Sequence, residues 1–469
     1  METSIMATDL KLHKKYGKFI KTFEGSTPVM LVYDAEWIKE AFVKNFSLFT
    51  NRRRLLFGGA LDQGLFSMEG DHWRHSRKML SSEFSSGKLK KMMPEIQKCV
   101  QHFVQILEDS DEQPVDIRTK CYALTLDLIS HTAFGLDSDA QTNEDSQFTK
   151  NALRLISFGE AEQPLKEKIR STVAIFVVLL APDWLVKLFA KLSITVFDAG
   201  AINYFEQLCQ SVIDSRKSDN PGADFVQTLV NNMKETSKGD PDTLVDTLGY
   251  NWTKKGLTKT EIIGNALLFL FAGFQTTADT MLFVFYELAQ YPEIQEKLYG
   301  EIIEICDSDD VTPEQVNQLK LLDYCINETM RLYPQAFRFD RSASEDVTIR
   351  DIFVPKGTAV TAIPWTIQRD PEIWEDPEEF DPYRFTPDRF TEKQVTAFMP
   401  FGIGNRLCIG SRLALMEMKL SIITALKKFE FKTCPDTPER PLEFAAVPAV
   451  TPSKKIMLSF VKREAATTD

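Results

Sequence analysis

Residues 258–291 read TKTEIIGNALLFLFAGFQTTADTMLFVFYELAQY. Thr258 and Glu261 form the capping-box signature that starts a helix by satisfying its first orphan N–H groups. The pattern then runs unbroken to Tyr291, where Pro292 forbids continuation. The spacing predicts about 30 helical residues, roughly 45 Å at 1.5 Å per residue. Between Ile262 and Glu287 the one charged residue is Asp279, so this helix is expected to be buried nearly all round.

Its centre, Ala272-Gly-Phe-Gln-Thr-Thr277, is a poor choice for the interior of a buried helix. Two readings stand side by side. The threonine hydroxyls bond back to preceding carbonyls while Gly273 permits close packing. Alternatively the helix opens locally and its hydroxyls face a ligand.

Outward from this helix most of the chain keeps helical periodicity, as in Glu95–Asp109 and Cys121–Phe134. Strand-like alternation is confined to residues 27–34 and 346–364, the latter with a Pro355-Lys356-Gly357 turn. Polar stretches at 215–224 and 234–256 read as surface loops. The expected fold is mainly α with small β-sheets.

The 469 residues contain no Ser/Gly-rich or Pro-rich linker, so one domain spanning 1–469 is expected. A net charge of −12 argues against nucleic acid, which calls for a basic footprint. The seven cysteines are odd in number and lack a CxxC pair, which fits neither a disulfide framework nor a zinc site and suggests a reducing compartment. The start, METSIMATDLKLHKKYGK, reads as neither signal peptide nor transmembrane span. Val173–Ala181 is too short an apolar run to cross a membrane and reads as a core or interfacial helix.

Three further motifs carry information. Glu328 and Arg331 share one helical face amid Leu322, Ile326, Met330 and Leu332, where a buried pair is costly unless further hydrogen bonds satisfy it. Glu167 and Arg170 have the same spacing but read as an exposed pair. His72-Trp73-Arg74-His75-Ser76-Arg77 opens a helix and is either a solvated face or an anion clamp, with the histidines structural. Finally FGIGNRLCIG, 401–410, sets Cys408 in a glycine-rich turn just before a helix. A glycine-rich loop suggests a backbone that approaches something closely, and a lone cysteine there suggests something reactive or bound.

Taken in order, Trp73…Arg77, AGFQTT, Glu328…Arg331, FDPYRF (380–385) and FGIGNRLCIG resemble the cytochrome P-450 superfamily of haem-thiolate enzymes. The last motif matches the family form Phe-x-x-Gly-x-Arg-x-Cys-x-Gly at Phe401, Gly404, Arg406, Cys408 and Gly410. FSLFTNRRR, FSSGKLKKMMPEI, YELAQYPEIQEKL and ALMEMKL look like the clan of steroid- and drug-oxidising family 3A enzymes and thromboxane synthase.

The resemblance implies haem b with Cys408 as the axial iron ligand, and a long central helix over the haem. Gly404 and Gly410 would let the loop lie against the macrocycle, and Phe401 would shield the thiolate. Arg52, Trp73, Arg77, Arg341 and Arg406 would hold the propionates, and Glu328, Arg331 and Arg384 would form a structural triad. Thr276 stands where the family hydrogen-bonds dioxygen and helps deliver protons. Gln275 departs from the acidic residue usual beside it: either proton delivery uses this position and is slow or leaks peroxide, or Gln275 merely packs and hydrogen-bonds within the opened helix turn. Phe57, Phe66, Phe271, Ala272, Ala336, Phe337 and Val447 would line a pocket for a lipophilic steroid, fatty acid or xenobiotic.

No flavin, nicotinamide or Fe–S fingerprint occurs in the sequence. By resemblance, electrons would come from NADPH through cytochrome P-450 reductase, with cytochrome b5 as a further partner. Lys78, Lys88, Lys90, Lys91, Lys419, Lys427 and Lys428 either form the docking face or are ordinary solvated lysines. The implied location is the cytosolic face of the endoplasmic reticulum. The chain starts about where the globular domain would, so the anchor is expected to be absent, with peripheral membrane contact through residues 173–189. The implied activity is monooxygenation. Its rivals are a thromboxane-synthase-like peroxide isomerase and a non-catalytic haem or lipid binder.

Overall fold

The computed structural model describes residues 4–53, 57–156, 197–216, 224–236, 242–246, 249–306, 308, 310–445 and 449–464. Val447, the Val173–Ala181 run and the Glu167/Arg170 pair lie outside them.

The central helix spans Lys259–Gln290, with Thr258 as its N-cap and both halves of the capping box formed. It is continuous. Thr276 Oγ1 donates to the Ala272 carbonyl at 2.7 Å and Thr280 Oγ1 to that of Thr276 at 2.7 Å. The back-bonding reading of its centre therefore holds, and the locally opened helix does not. A Cβ on Gly273 would meet Ile129 Cδ1 at 3.1 Å, so the glycine lets the helix Ile117–Ile129 approach closely. Among the described residues this is the one helix long and apolar enough to cross a membrane, and it is mostly buried. Its burial is interrupted in one turn, at Ala272 and Thr276, which face a cavity instead of the core.

Two other helices complete the walls of that cavity. Ser86–Glu108 begins two turns before the expected start and carries Pro94 inside it. Ser411–Lys428 follows the Cys408 loop directly.

One four-stranded sheet places site residues. Phe19–Glu24 and Thr27–Val32 form a hairpin, Ala359–Ala362 pairs parallel to Thr27–Val32, and Phe339–Ser342 pairs antiparallel on the far side. Strand alternation turns Asp340 and Arg341 to opposite faces. Asp340 accepts from the Arg53 backbone N–H at 3.1 Å, and Arg341 is 2% exposed.

The expected strand 346–364 is in fact three: Val347–Ile349, Ile352–Val354 and Ala359–Ala362. The first two form a hairpin across Arg350 and Asp351, both at positive φ. No glycine or asparagine marks that turn, which is why the sequence hides it. Part of the expected loop 234–256 is likewise a hairpin, Thr243–Val245 with Asn251–Thr253. It seats Trp252 against His72.

Candidate active site

A cavity of about 630 Å³ lies between the central helix and the Cys408 loop. Leu268, Ala272, Thr276 and Thr280 line it at intervals of four, one stripe of the helix. Facing them are Phe401, Cys408, Gly410 and the start of the helix Ser411–Lys428.

The Cys408 loop is built from its backbone. The Cys408 N–H donates to the Phe401 carbonyl at 2.9 Å. Gly404 has φ +68°, and a Cβ there would lie 2.7 Å from the Phe42 carbonyl oxygen. Its glycine is thus required by the turn and by packing on Phe42, away from the cavity, rather than by a flat ligand. Gly410 does face the cavity, where an added Cβ would approach nothing closer than Phe84 at 3.9 Å. The Cys408 side chain opens onto the cavity with protein around its other sides. Burial raises its thiol overall, against the lowering effects of the Gly410 N–H, Arg77, Arg52 and the Ser411 N–H. Those are groups that favour a thiolate.

Arg52, Trp73, Arg77, Arg341 and Arg406 all line this cavity. The Arg406 guanidinium stacks 4.2 Å from the Trp73 ring centroid and donates to the carbonyls of Thr50 at 3.0 Å and Met68 at 2.8 Å. Burial first, and then Arg52 and Arg341, push it down to about 8. Burial and Arg52 push Arg341 to about 9, and burial followed by Arg77 pushes Arg52 to about 10. Arg341 Nε is buried with no hydrogen-bond partner among the described residues. Guanidinium groups stay protonated in proteins, so an anion, not deprotonation, relieves this crowding. Two propionate carboxylates would supply that anion, and the residues present fit a haem.

Glu328, Arg331 and Arg384 are equally buried but close on themselves. Arg331 Nε donates to Glu328 Oε2 at 2.6 Å, and Arg384 Nε to Glu328 Oε1 at 3.2 Å. Carbonyls of Gln368, Pro377 and Glu379 take the remaining Arg331 donors.

Other placements refine the sequence reading. Phe66, Ala272, Ala336 and Phe337 line the cavity. Phe57 and Phe271 do not; Phe271 packs edge-on against Phe197 with ring centroids 4.7 Å apart, and Phe57 lies tilted against the same ring at 5.3 Å. Gln275 is not a lining residue either. Its amide faces Asp279 one turn on, whose carboxylate accepts from the Tyr122 hydroxyl at 2.9 Å. Lys419 is 7% exposed and paired with Asp323, so it belongs to no docking face. Lys88, Lys90 and Lys428 pair with Glu83, Glu314 and Glu108, whereas Lys78 and Lys91 are exposed. His72 is structural, held between Glu261 and Asp246.

Sequence reasoning missed Phe84, Ile129, Ala133, Phe269 and Glu417 in the cavity wall. The i, i+4 spacing of Ile129 and Ala133 was available as a signal. Glu417 carried none.

The cytochrome P450 family model matches residues 3–460. The chain belongs to the cytochrome P450 family. It is 33% identical to cytochrome P450 3A29 of Sus scrofa over 97% of this chain and 87% of that protein. Identity to cytochrome P450 3A11 of Mus musculus is 33%, over 98% and 88%. For cytochrome P450 3A5 of Homo sapiens it is 32%, over 97% and 87%. This cytochrome P450 is therefore a monooxygenase-class oxidoreductase, in a family that holds haem iron through a cysteine thiolate.

Proposed function

We propose that this P450 inserts one atom of dioxygen into a lipophilic substrate and reduces the other to water, with electrons from NADPH delivered by a reductase. Per turnover a C–H bond, O2, two electrons and two protons become C–OH and H2O. The observation that carries the reading is the arginine cluster, whose members Arg52, Arg341 and Arg406 repel one another and make no ion pair among the described residues, on the Cys408 side of a cavity whose other wall is Thr276.

In this reading Cys408 ligates the iron, and Arg52, Trp73, Arg77, Arg341 and Arg406 bind the propionates through charge-assisted hydrogen bonds. The bound haem supplies dioxygen activation, which a thiolate ligand favours. Phe401 and Leu413 keep water from the sulfur, and the Gly410 and Ser411 N–H groups hold its charge. Thr276, open to the cavity, positions water and protons there. Phe66, Ala272, Ala336 and Phe337 form an apolar wall suited to a steroid, fatty acid or xenobiotic. Exposed Lys78 and Lys91 are the docking candidates for the reductase or cytochrome b5. The endoplasmic reticulum is the location by family resemblance.

The test is turnover of the haem-loaded chain with reductase, NADPH and isotopically labelled dioxygen, on ligands chosen by their shift of the haem spin state. One labelled oxygen in the product is expected. Product formed from a lipid peroxide without NADPH or dioxygen, and none by the NADPH route, would establish the isomerase instead.

A further inference from the structure

His72 joins three elements at one ring. It lies on the helix Gly70–Ser81, which carries Trp73 and Arg77 into the cavity, and is itself 3% exposed. Its Nε2 is 2.5 Å from Glu261 Oε1, in the first turn of the central helix. Its Nδ1 is at ion-pair distance, 3.6 Å, from Oδ2 of Asp246, just past the strand Thr243–Val245. Trp252, on the other strand of that hairpin, stacks on the same ring with centroids 4.8 Å apart. Both carboxylates are also bound into their own elements. Glu261 Oε2 accepts the Thr258 N–H at 2.6 Å to complete the capping box, and Asp246 Oδ1 accepts the Tyr250 N–H at 2.8 Å. A neutral imidazole has one N–H, so one carboxylate would meet a lone pair; an imidazolium offers an N–H to each.

We propose that His72 is a positioning residue for the haem: an imidazolium clamped between Glu261 and Asp246, it seats the Trp73–Arg77 helix on the start of the central helix and slackens when alkaline pH removes its proton. This rests on the reading of Trp73, Arg77 and Arg406 as propionate partners. Trp73 follows His72 directly and stacks on Arg406, so the clamp reaches two of those groups through one side chain. Burial pulls the His72 ring down, but Asp246 and Glu261 outweigh it and hold the ring above its ordinary 6.5. The clamp is therefore complete below pH 6.5 and is lost as pH rises through that higher value. The other charged groups on these elements are engaged elsewhere. His75 binds the Gly256 carbonyl at 3.1 Å, and Tyr250 titrates above 10. Asp71 pairs with Arg74, Lys255 with Asp242 and Lys259 with Asp214, while Lys254 is exposed. Glu69 acts on Arg406, and Asp62 accepts the N–H groups of Phe57 and Gly58.

The experiment follows haem transfer from the loaded full chain to an excess of apo-globin, for the wild type and His72→Gln, from about pH 6 to about pH 9.5. At the acid end the variant should release haem about tenfold faster, the loss of one charge-assisted hydrogen bond. At the alkaline end, with the wild-type ring neutral, the two rates should agree within about twofold. A side chain that only fills space would give one ratio at every pH. Asp246→Asn keeps an oxygen for the Tyr250 N–H but removes a charge, so its release should climb about one pH unit below the wild type's. That variant decides the matter if the Gln variant folds poorly. His75→Gln should keep the wild-type profile. A His72→Gln ratio that does not change with pH, an Asp246→Asn profile superposed on the wild type's, or a step that vanishes in His75→Gln overturns the clamp. Arg77→Leu tests the reading beneath it and should also release haem faster; release at the wild-type rate there overturns the propionate assignment instead.

Discussion

Arg331 and Arg406 are both buried arginines, at 0% and 4% exposure, yet their surroundings differ in kind. Arg331 shares Glu328 with Arg384 and spends its remaining donors on carbonyls. Arg406 faces Arg52 and Arg341, which repel it. A buried cation with its carboxylate in place is part of the scaffold. A buried cluster of cations that repel one another despite the nearby Asp340 and Glu69, with no ion pair among the described residues, is suited to an anionic ligand. The two clusters separate residues that hold the protein together from those proposed to hold its ligand.

The sharpest way to break this contrast is Glu328→Gln. The amide keeps the shape but leaves Arg331 and Arg384 as buried cations without a counter-charge. The expected loss is about 3–5 kcal/mol, the usual cost of removing one member of a buried ion pair. It should appear as a large drop in the denaturation midpoint of the haem-free chain. A loss below about 1 kcal/mol would show that the carbonyls alone suffice.

Asp279 sits between these extremes: it has one good partner, the Tyr122 hydroxyl, while its Oδ2 has none among the described residues. Burial raises its carboxyl from 3.8 to about 6, against the lowering effects of Arg118, Tyr122, Gln275 and Thr451. The folded value lies above the unfolded one, so its contribution is fully present below pH 4 and is lost as pH rises through about 6. A shift of about two units corresponds to on the order of 3 kcal/mol. Asp279→Asn should remove that slope, so the variant gains on the wild type as pH goes from 4 to 7. Parallel stability curves across that window would place the proton elsewhere.

Arg341→Leu tests the ligand side with the opposite sign. Removing a crowded, half-satisfied guanidinium should leave the haem-free chain at least as stable as before. Haem should nevertheless leave about tenfold faster, the equivalent of one charge-assisted hydrogen bond of roughly 1.4 kcal/mol. Transfer of haem to an excess of an apo-globin measures the rate. A destabilised haem-free chain with unchanged haem release would make Arg341 scaffold.

What the sequence made legible follows the same division. The central helix was readable end to end because Thr258, Glu261 and Pro292 punctuate it. Cys408 and Arg52, Trp73, Arg77, Arg341 and Arg406 were readable as one group through the order of their motifs, and all six line one cavity. The hairpin at Arg350–Asp351 was not, since its positive φ angles fall on residues that do not announce them. Nor was the strand Phe339–Ser342, four residues whose alternation only acquires meaning beside Ala359–Ala362. Phe57 and Phe271 misled because aromatic residues near a cavity pack on one another as readily as they line it. Glu417 was invisible because a lone acid in a helix normally faces water; its burial is a property of the packed structure.

The smallest expected effect concerns Gln275, and here the structure reverses the expectation drawn from the family pattern. If proton delivery ran through this position, Gln275→Glu would restore the usual acid and raise product per NADPH. The amide, however, points along the helix to Asp279 and does not line the cavity. A glutamate there would stand one turn from another carboxyl, and like charges at i, i+4 cost a few tenths of a kcal/mol, about 0.2–0.5. It would remove a donor facing Asp279 and add a neighbouring negative charge, so Asp279 should keep its proton to higher pH. Coupling should therefore stay within about twofold of the wild type, well inside the change expected of a positioned acid. Stability near pH 7 should fall slightly. Improved coupling in this variant would return the proton path to the central helix.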